Sequence, residues 1–296
     1  MANHTPVLLQ ETIEFLLPKK GEVIIDGTLG LGGHAQVLCK ATGSDGVLIG
    51  IDQDTEALSK AQEKLSGCQV HIYKNNFRNI DSVLEKEGTQ TVDKVLLDLG
   101  VSSLQLDTAE RGFSFKHDAP LDMSMTDKEG AYHLTAYEII NEWDEETLVT
   151  ILQGYGEEKF AKRIAHAITE ARKEKPIKTT HELAELIKQS VPVWYRHKRI
   201  HPATKTFQAL RIAVNDELEA LKEFLPKGWD ALKKDGRLAV ISFHSLEDRI
   251  VKQFFRNKKH GGEGVLINKK PIVPTEDEIH NNPRARSAKL RVIQKL

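Results

Sequence analysis

Four glycines fall within seven residues of this chain, Gly27, Gly30, Gly32 and Gly33, directly after the β-branched run Val23-Ile24-Ile25 and Asp26. Apolar residues Ala35, Val37 and Leu38 then recur at helical spacing. Strand, tight glycine turn and helix together form the opening unit of a nucleotide-binding α/β sheet. Glycine is needed where the turn visits positive φ and where a ligand comes close to bare backbone. Gly30-x-Gly32-x-x-Ala35 also fits the dinucleotide pattern, and a turn that merely contains glycines would read the same way. The stretch therefore constrains the fold more than the ligand.

The acids around it narrow the ligand. Val47–Asp52 is a second apolar strand, and it ends in a carboxylate about 20 residues after the glycine turn, the place where an acid accepts hydrogen bonds from both ribose hydroxyls. A third strand, Val70 to Phe77, ends in an aromatic ring, and a fourth, beginning at Val92, delivers Asp98 to the same carboxyl edge. Asp26, before the glycines, favours S-adenosylmethionine over a nicotinamide cofactor. A dehydrogenase carries an apolar strand there, whereas a methionine amine wants an acceptor.

The alternation of strand and helix implies a parallel sheet covered on both faces. It opens with a helix after His4-Thr5-Pro6, with Thr5 as its cap and Pro6 in its first turn, ending near Pro18. A second helix spans 34–40, a third runs from Asp54 to about 66, and a fourth covers 80–87. After Asp98 the rhythm breaks. An irregular stretch over 102–125 leads into amphipathic helices at 136–143, 145–152, 158–173 and 181–190, the last opened by the capping signature Thr179-x-x-Glu182. A loop of that length inside a domain is usually functional. The sheet pattern resumes with one long helix over 204–225, a fifth strand at 236–243, a helix from Ser245 to about Phe255, and two short strands at 264–267 and 287–294, the final one antiparallel. The expected organisation is a sheet domain formed by 1–103 plus 204–296, with a helical insertion at 104–203.

Cys39 and Cys68 are the only cysteines, so no disulfide framework is expected, and a reducing, cytoplasmic setting follows. The N-terminus shows no secretory pattern, and no apolar run approaches the ~20 residues of a membrane span. No metal-ligand spacing is present. Although the net charge is only −1, it is segregated. Residues 155–211 hold 13 lysines and arginines against 6 acids, and residues 249–296 hold 12 against 4. Basic faces of this kind suit phosphate contact, and solvated helical faces give the same count.

Seven motifs in order make the chain closely similar to the MraW family: Asp26-Gly-Thr-x-Gly-x-Gly-Gly-His34, Asp98-Leu-Gly-Val-Ser-Ser103, Glu110-Arg-Gly-Phe-Ser-Phe115, Pro120-Leu-Asp-Met123, His201-Pro-Ala-Thr-x-Thr-Phe-Gln208, Ser242-Phe-His-Ser-Leu-Glu-Asp-Arg249 and Asn282-Pro-Arg-Ala-Arg-Ser287. The resemblance covers nearly the whole chain. It departs at Ala119, where a glycine is expected, at Ser124, where a basic residue is common, and in a short loop before Asn282. It implies a class I (Rossmann-like) methyltransferase sheet with an inserted α-helical domain for RNA recognition. It also implies S-adenosylmethionine as donor and N4-methylation of a cytidine in the decoding region of 16S rRNA, within the assembled small ribosomal subunit. A homodimer is suspected on the same ground. By resemblance the cofactor contacts fall on Gly32, Gly33, His34, Asp52, Phe77, Asp98 and Gln105; all but Gln105 were reached from the pattern alone.

For the chemistry, the Asp98 segment is expected to position the target amine, with Ser102 or Ser103 assisting. Asp98 serves the cofactor equally well. A splayed-out base needs an aromatic surface, for which Phe113, Phe115, Phe243 and His244 are candidates, each also readable as core. Attack by a cysteine on the ring is disfavoured, since both cysteines read as structural. Two other readings stand beside this one: a DNA amino-methyltransferase, and a non-catalytic assembly factor that keeps the fold.

Overall fold

In the computed structural model, which describes residues 6–126 and 133–296, the chain forms two units. One consists of the chain up to Gly100 together with Leu218–Leu296, and the other is Val101–Glu217.

The first unit opens with α1 (Leu9–Leu16). The proposed cap Thr5 lies outside the described residues, and the helix starts later than expected, past Pro6. Leu8 holds the left-handed conformation (φ 51°), fully buried, with its amide donating to Glu278 at 2.7 Å. There follow β1 (Val23–Asp26), α2 (Gly33–Thr42), β2 (Val47–Asp52), α3 (Thr55–Lys64), β3 (Val70–Lys74), α4 (Ile80–Lys86) and β4 (Val92–Asp98). Asp54 caps α3 by accepting the amides of Glu56 and Ala57, as its position before the helix suggests. β3 stops at Lys74, three residues short of Phe77, because Asn76 accepts the Arg78 amide and turns the chain into a 3₁₀ turn, Phe77–Asn79.

The second unit contains α5 (Ser103–Asp107), α6 (Ala136–Glu142), α7 (Glu145–Gly154), α8 (Ala161–Glu174), α9 (Thr180–Ser190), α10 (Val193–Arg196) and α11 (Thr204–Asn215). Among the described residues its only strand-like pairing is one isolated bridge, Pro120 with Thr179. Reciprocal capping boxes start α6 (Thr135 with Glu138) and α9 (Thr179 with Glu182). Apolar faces of α6 to α9 and α11 meet in one core that includes Ile140, Leu152, Ile164, Ile168, Leu183 and Leu210. Burying each such side chain contributes about 1.5–3 kcal/mol.

The single long helix expected over 204–225 is two. Asp216 takes the left-handed conformation (φ 50°) and ends α11, and α12 (Glu217–Asp230) begins at the next residue. Helical periodicity runs through such a break because only one residue leaves the helix. β5 (Leu232–Ser242), α13 (Ser245–His260), β6 (Gly264–Leu266), α14 (Glu276–Asn281) and β7 (Lys289–Lys295) complete the first unit.

Seven strands lie in the order β3-β2-β1-β4-β5-β7-β6. The first five are parallel, and β7 runs antiparallel between β5 and β6. Alternate residues face opposite ways, so Ile25, Ile49, Val95, Leu97 and Val240 pack with α4, α12 and α13, whereas Ile24, Leu48, Leu96, Ala239 and Ile241 pack with α1, α2 and α3. On this second face Cys39 of α2 and Cys68, just before β3, form a disulfide, with Cα atoms 6.0 Å apart. The expectation of unpaired cysteines is therefore corrected. Leu38, Ala61 and Leu65 draw both helices onto one core and bring the thiols into bridging range.

Candidate active site

Parallel register sets three carboxylates at one edge. Asp26 pairs with Gly50 of β2 and with Leu96 of β4, so Asp52 and Asp98 each stand two residues beyond it on neighbouring strands. A two-residue offset keeps all three side chains on the same parity of the pleat. Between them the chain turns back through the glycines. Gly30 and Gly32 hold φ values of 51° and 69°, which glycine adopts without strain. Gly33, the first residue of α2, is crowded differently: a Cβ there would meet Pro6 Cγ at 2.5 Å. Gly32, which has no side chain, stands at the N-cap of α2, so no N-cap side chain satisfies the first amides of that helix.

Asp52 is held by two backbone donors, the Gly30 amide at 2.7 Å on Oδ2 and the Asp54 amide at 3.0 Å on Oδ1. Each oxygen keeps a lone pair for a diol. Burial raises its pKa, and these hydrogen bonds partly offset the rise. Phe77 is half-buried and meets Phe224 edge-on, with ring centroids 5.6 Å apart.

Asp26, His34 and Asp98 form the centre, joined by Thr28, which the sequence reading passed over. The Thr28 amide donates to Asp26 at 3.2 Å, and its hydroxyl accepts the Asp98 amide at 2.6 Å. Its position inside the glycine turn was the available signal. His34 Nε2 lies 3.5 Å from Asp98 Oδ2, longer than an ordinary hydrogen bond. Burial pushes the Asp26 carboxyl up to about 7, against the opposing pull of His34 and the Thr28 amide, while Asp98 and Asp52 push the same way. His34 is also shifted upward, although burial acts on it with the opposite sign. Burial disfavours its cation, but the Asp98 and Asp26 carboxylates outweigh that and make the imidazole more basic than usual.

Asp98 Oδ1 and both His34 nitrogens are buried without a hydrogen bond of ordinary geometry, the imidazole facing Asp98 and the Val7 backbone at longer range. Native structures seldom leave such atoms unpaired, and a bound ligand is one explanation. S-adenosylmethionine fits them: it brings an ammonium and a sulfonium to an acidic edge, a carboxylate for helix amides or imidazole, and a diol for Asp52.

Ser102, Ser103 and Gln105 belong to the helical unit. Ser102 caps α5, its hydroxyl accepting the Gln105 amide at 3.2 Å while Gln105 Oε1 accepts the Ser102 amide at 3.0 Å. Ser103 is the first residue of that helix. Of the aromatic candidates, Phe113 lies in the helical core, and Phe115 stacks on His201 at 4.7 Å. Phe243 covers Gly100, whose added Cβ would lie 3.4 Å from the ring. His244 caps α13.

The MraW methylase family matches residues 1–296. The chain is 50% identical to the ribosomal RNA small subunit methyltransferase H of Acetivibrio thermocellus, over 99% of each chain. It is 49% identical to the protein of that name from Persephonella marina, over the full length of both. On the parallel sheet, the acidic edge and these matches together, the chain belongs to the MraW methylase family.

Proposed function

We propose that this chain transfers the methyl group of S-adenosylmethionine to N4 of a cytidine in 16S rRNA, on the small ribosomal subunit. The carrying observation is the set of buried atoms on His34 and Asp98 that lack an ordinary hydrogen bond, beside the Asp26 and Asp52 carboxyl groups. The names of the full-length relatives support the rRNA substrate.

The methyl donor is S-adenosylmethionine, which supplies an electrophilic methyl on a sulfonium. Asp52 receives the ribose, the glycine backbone and α2 amides the methionine carboxylate, Asp26 and His34 the polar groups of the same moiety, and Phe77 the adenine. The amine of cytosine is a weak nucleophile because its lone pair is delocalised into the ring. An acceptor at Asp98 favours a pyramidal nitrogen aligned for attack, with Ser102 or Ser103 assisting. The amine becomes acidic only as the methyl arrives, so no strong base is required beforehand. The helical insertion recognises the RNA. The resemblance alone supports a homodimer, checked by sedimentation.

The test is transfer from labelled S-adenosylmethionine to small subunits lacking the modification, followed by nucleoside analysis. N4-methylcytidine from the unaltered protein, reduced at least 100-fold in Asp98→Ala, is expected. Cofactor binding without transfer to subunits would favour a binding role, and equal rates on duplex DNA would favour the DNA enzyme.

A further inference from the structure

The second half of α13 carries Lys252, Arg256 and Lys259 at spacings of four and three, which aligns them on one helix face. That face borders a depression of about 290 Å³, into which Lys269, beyond β6, also projects. Phe255 and Arg291 lie beneath, both buried.

The ion pairs show which of these charges is compensated. Arg291 donates through Nε to Asp248 Oδ1 at 2.7 Å, and Lys289 approaches the same carboxylate at 3.5 Å. Nearby, Lys258 is matched by Glu263. Lys252, Arg256, Lys259 and Lys269 are all exposed, and no described acid forms an ion pair with any of them. Four like charges around one concavity repel one another, and an anionic occupant relieves that repulsion more fully than water and mobile counterions do.

The spacing indicates what kind of anion fits. Lys252 to Lys259 spans about 10 Å along the helix axis, further than one phosphate can bridge. The group also begins about 10 Å down α13 from its N-terminus, where β5 ends at the carboxyl edge. We propose that this depression binds successive phosphates of the substrate RNA backbone, well away from the methylated base. The inference rests on RNA being the substrate. It makes the outer edge of the sheet unit, and not only the helical insertion, an RNA-binding surface. Backbone contacts of this kind fix register and add affinity without reading sequence.

The experiment uses the full chain with Lys252→Gln, Arg256→Gln and Lys259→Gln combined. Binding of a short labelled oligocytidylate is measured against salt, alongside the KM for small subunits. If three phosphate contacts are lost, the log–log salt slope becomes shallower by about 2, and affinity near 0.1 M salt falls about 100-fold. The KM for subunits rises by at least tenfold, while kcat and S-adenosylmethionine affinity stay at the unaltered values. An unchanged slope and unchanged KM overturn the proposal. Should the triple variant lose cofactor affinity through misfolding, Lys269→Gln alone decides: a slope shallower by about 0.7 supports the proposal, and an unchanged one overturns it. If the unaltered protein methylates no subunits yet the oligocytidylate slope still depends on these residues, the substrate assignment fails while the phosphate surface stands.

Discussion

Asp26 is the residue whose chemistry departs furthest from the ordinary. A carboxyl raised from 3.8 to about 7 keeps its proton in the folded chain where the unfolded chain has lost it. Its contribution to stability is therefore fully present below about pH 4 and is lost as pH climbs toward 7. A cationic ligand reverses the preference, since an ammonium favours the ionised carboxylate. S-adenosylmethionine affinity should rise up to tenfold per pH unit below 7 and level off above it. Calorimetric titration from pH 5.5 to 8.5 checks this, and Asp26→Asn should flatten the profile. The same variant should unfold at a higher temperature than the unaltered chain at pH 8, with the gap closing toward pH 4. The acids of this edge were legible because each ends an apolar strand, a pattern that survives in one dimension. The partnership of Thr28 with Asp98 was not, because it joins residues 70 apart through a hydroxyl that carries no periodic signal.

Among the elements, those with local causes were readable and those with distant causes were not. Asp54 before α3 and Thr179-x-x-Glu182 before α9 announce helix starts through side chains that reach three residues. The turn that ends β3 early depends on Asn76, and the break at Asp216 on one left-handed residue, neither of which disturbs hydrophobic periodicity. The disulfide required knowing that α2 and α3 share a face of the sheet. It closes a loop with a sequence separation of 29, so loop entropy stabilises the fold by about 3–4 kcal/mol. Thiol titration of the denatured, unreduced protein should find no free thiol, and reduction should lower the unfolding free energy by that amount. In the helical unit, Gly112 is the sharpest constraint: its φ is 69°, and a Cβ would drive into the Pro120 carbonyl oxygen. Gly112→Ala should cost more than about 1 kcal/mol, read from chemical unfolding followed by circular dichroism.

At the scale of the whole molecule, the sheet unit is built from two stretches of chain that flank the helical unit. β4 and β5 are neighbours in the sheet, yet Asp98 pairs with Ile241 across about 140 residues. Closing a flexible loop of that length costs about 4 kcal/mol in chain entropy, and slow folding follows from such long-range pairing. An insert of this size has a radius of gyration of about 35 Å when unfolded and about 13 Å when folded. If the insert folds first, β5 searches a far smaller volume for β4. The helical unit then acts as an internal folding aid for the sheet on either side of it in the sequence. Refolding reported by Trp229, buried in the sheet unit, should therefore slow in Gly112→Ala, although that residue lies wholly within the other unit.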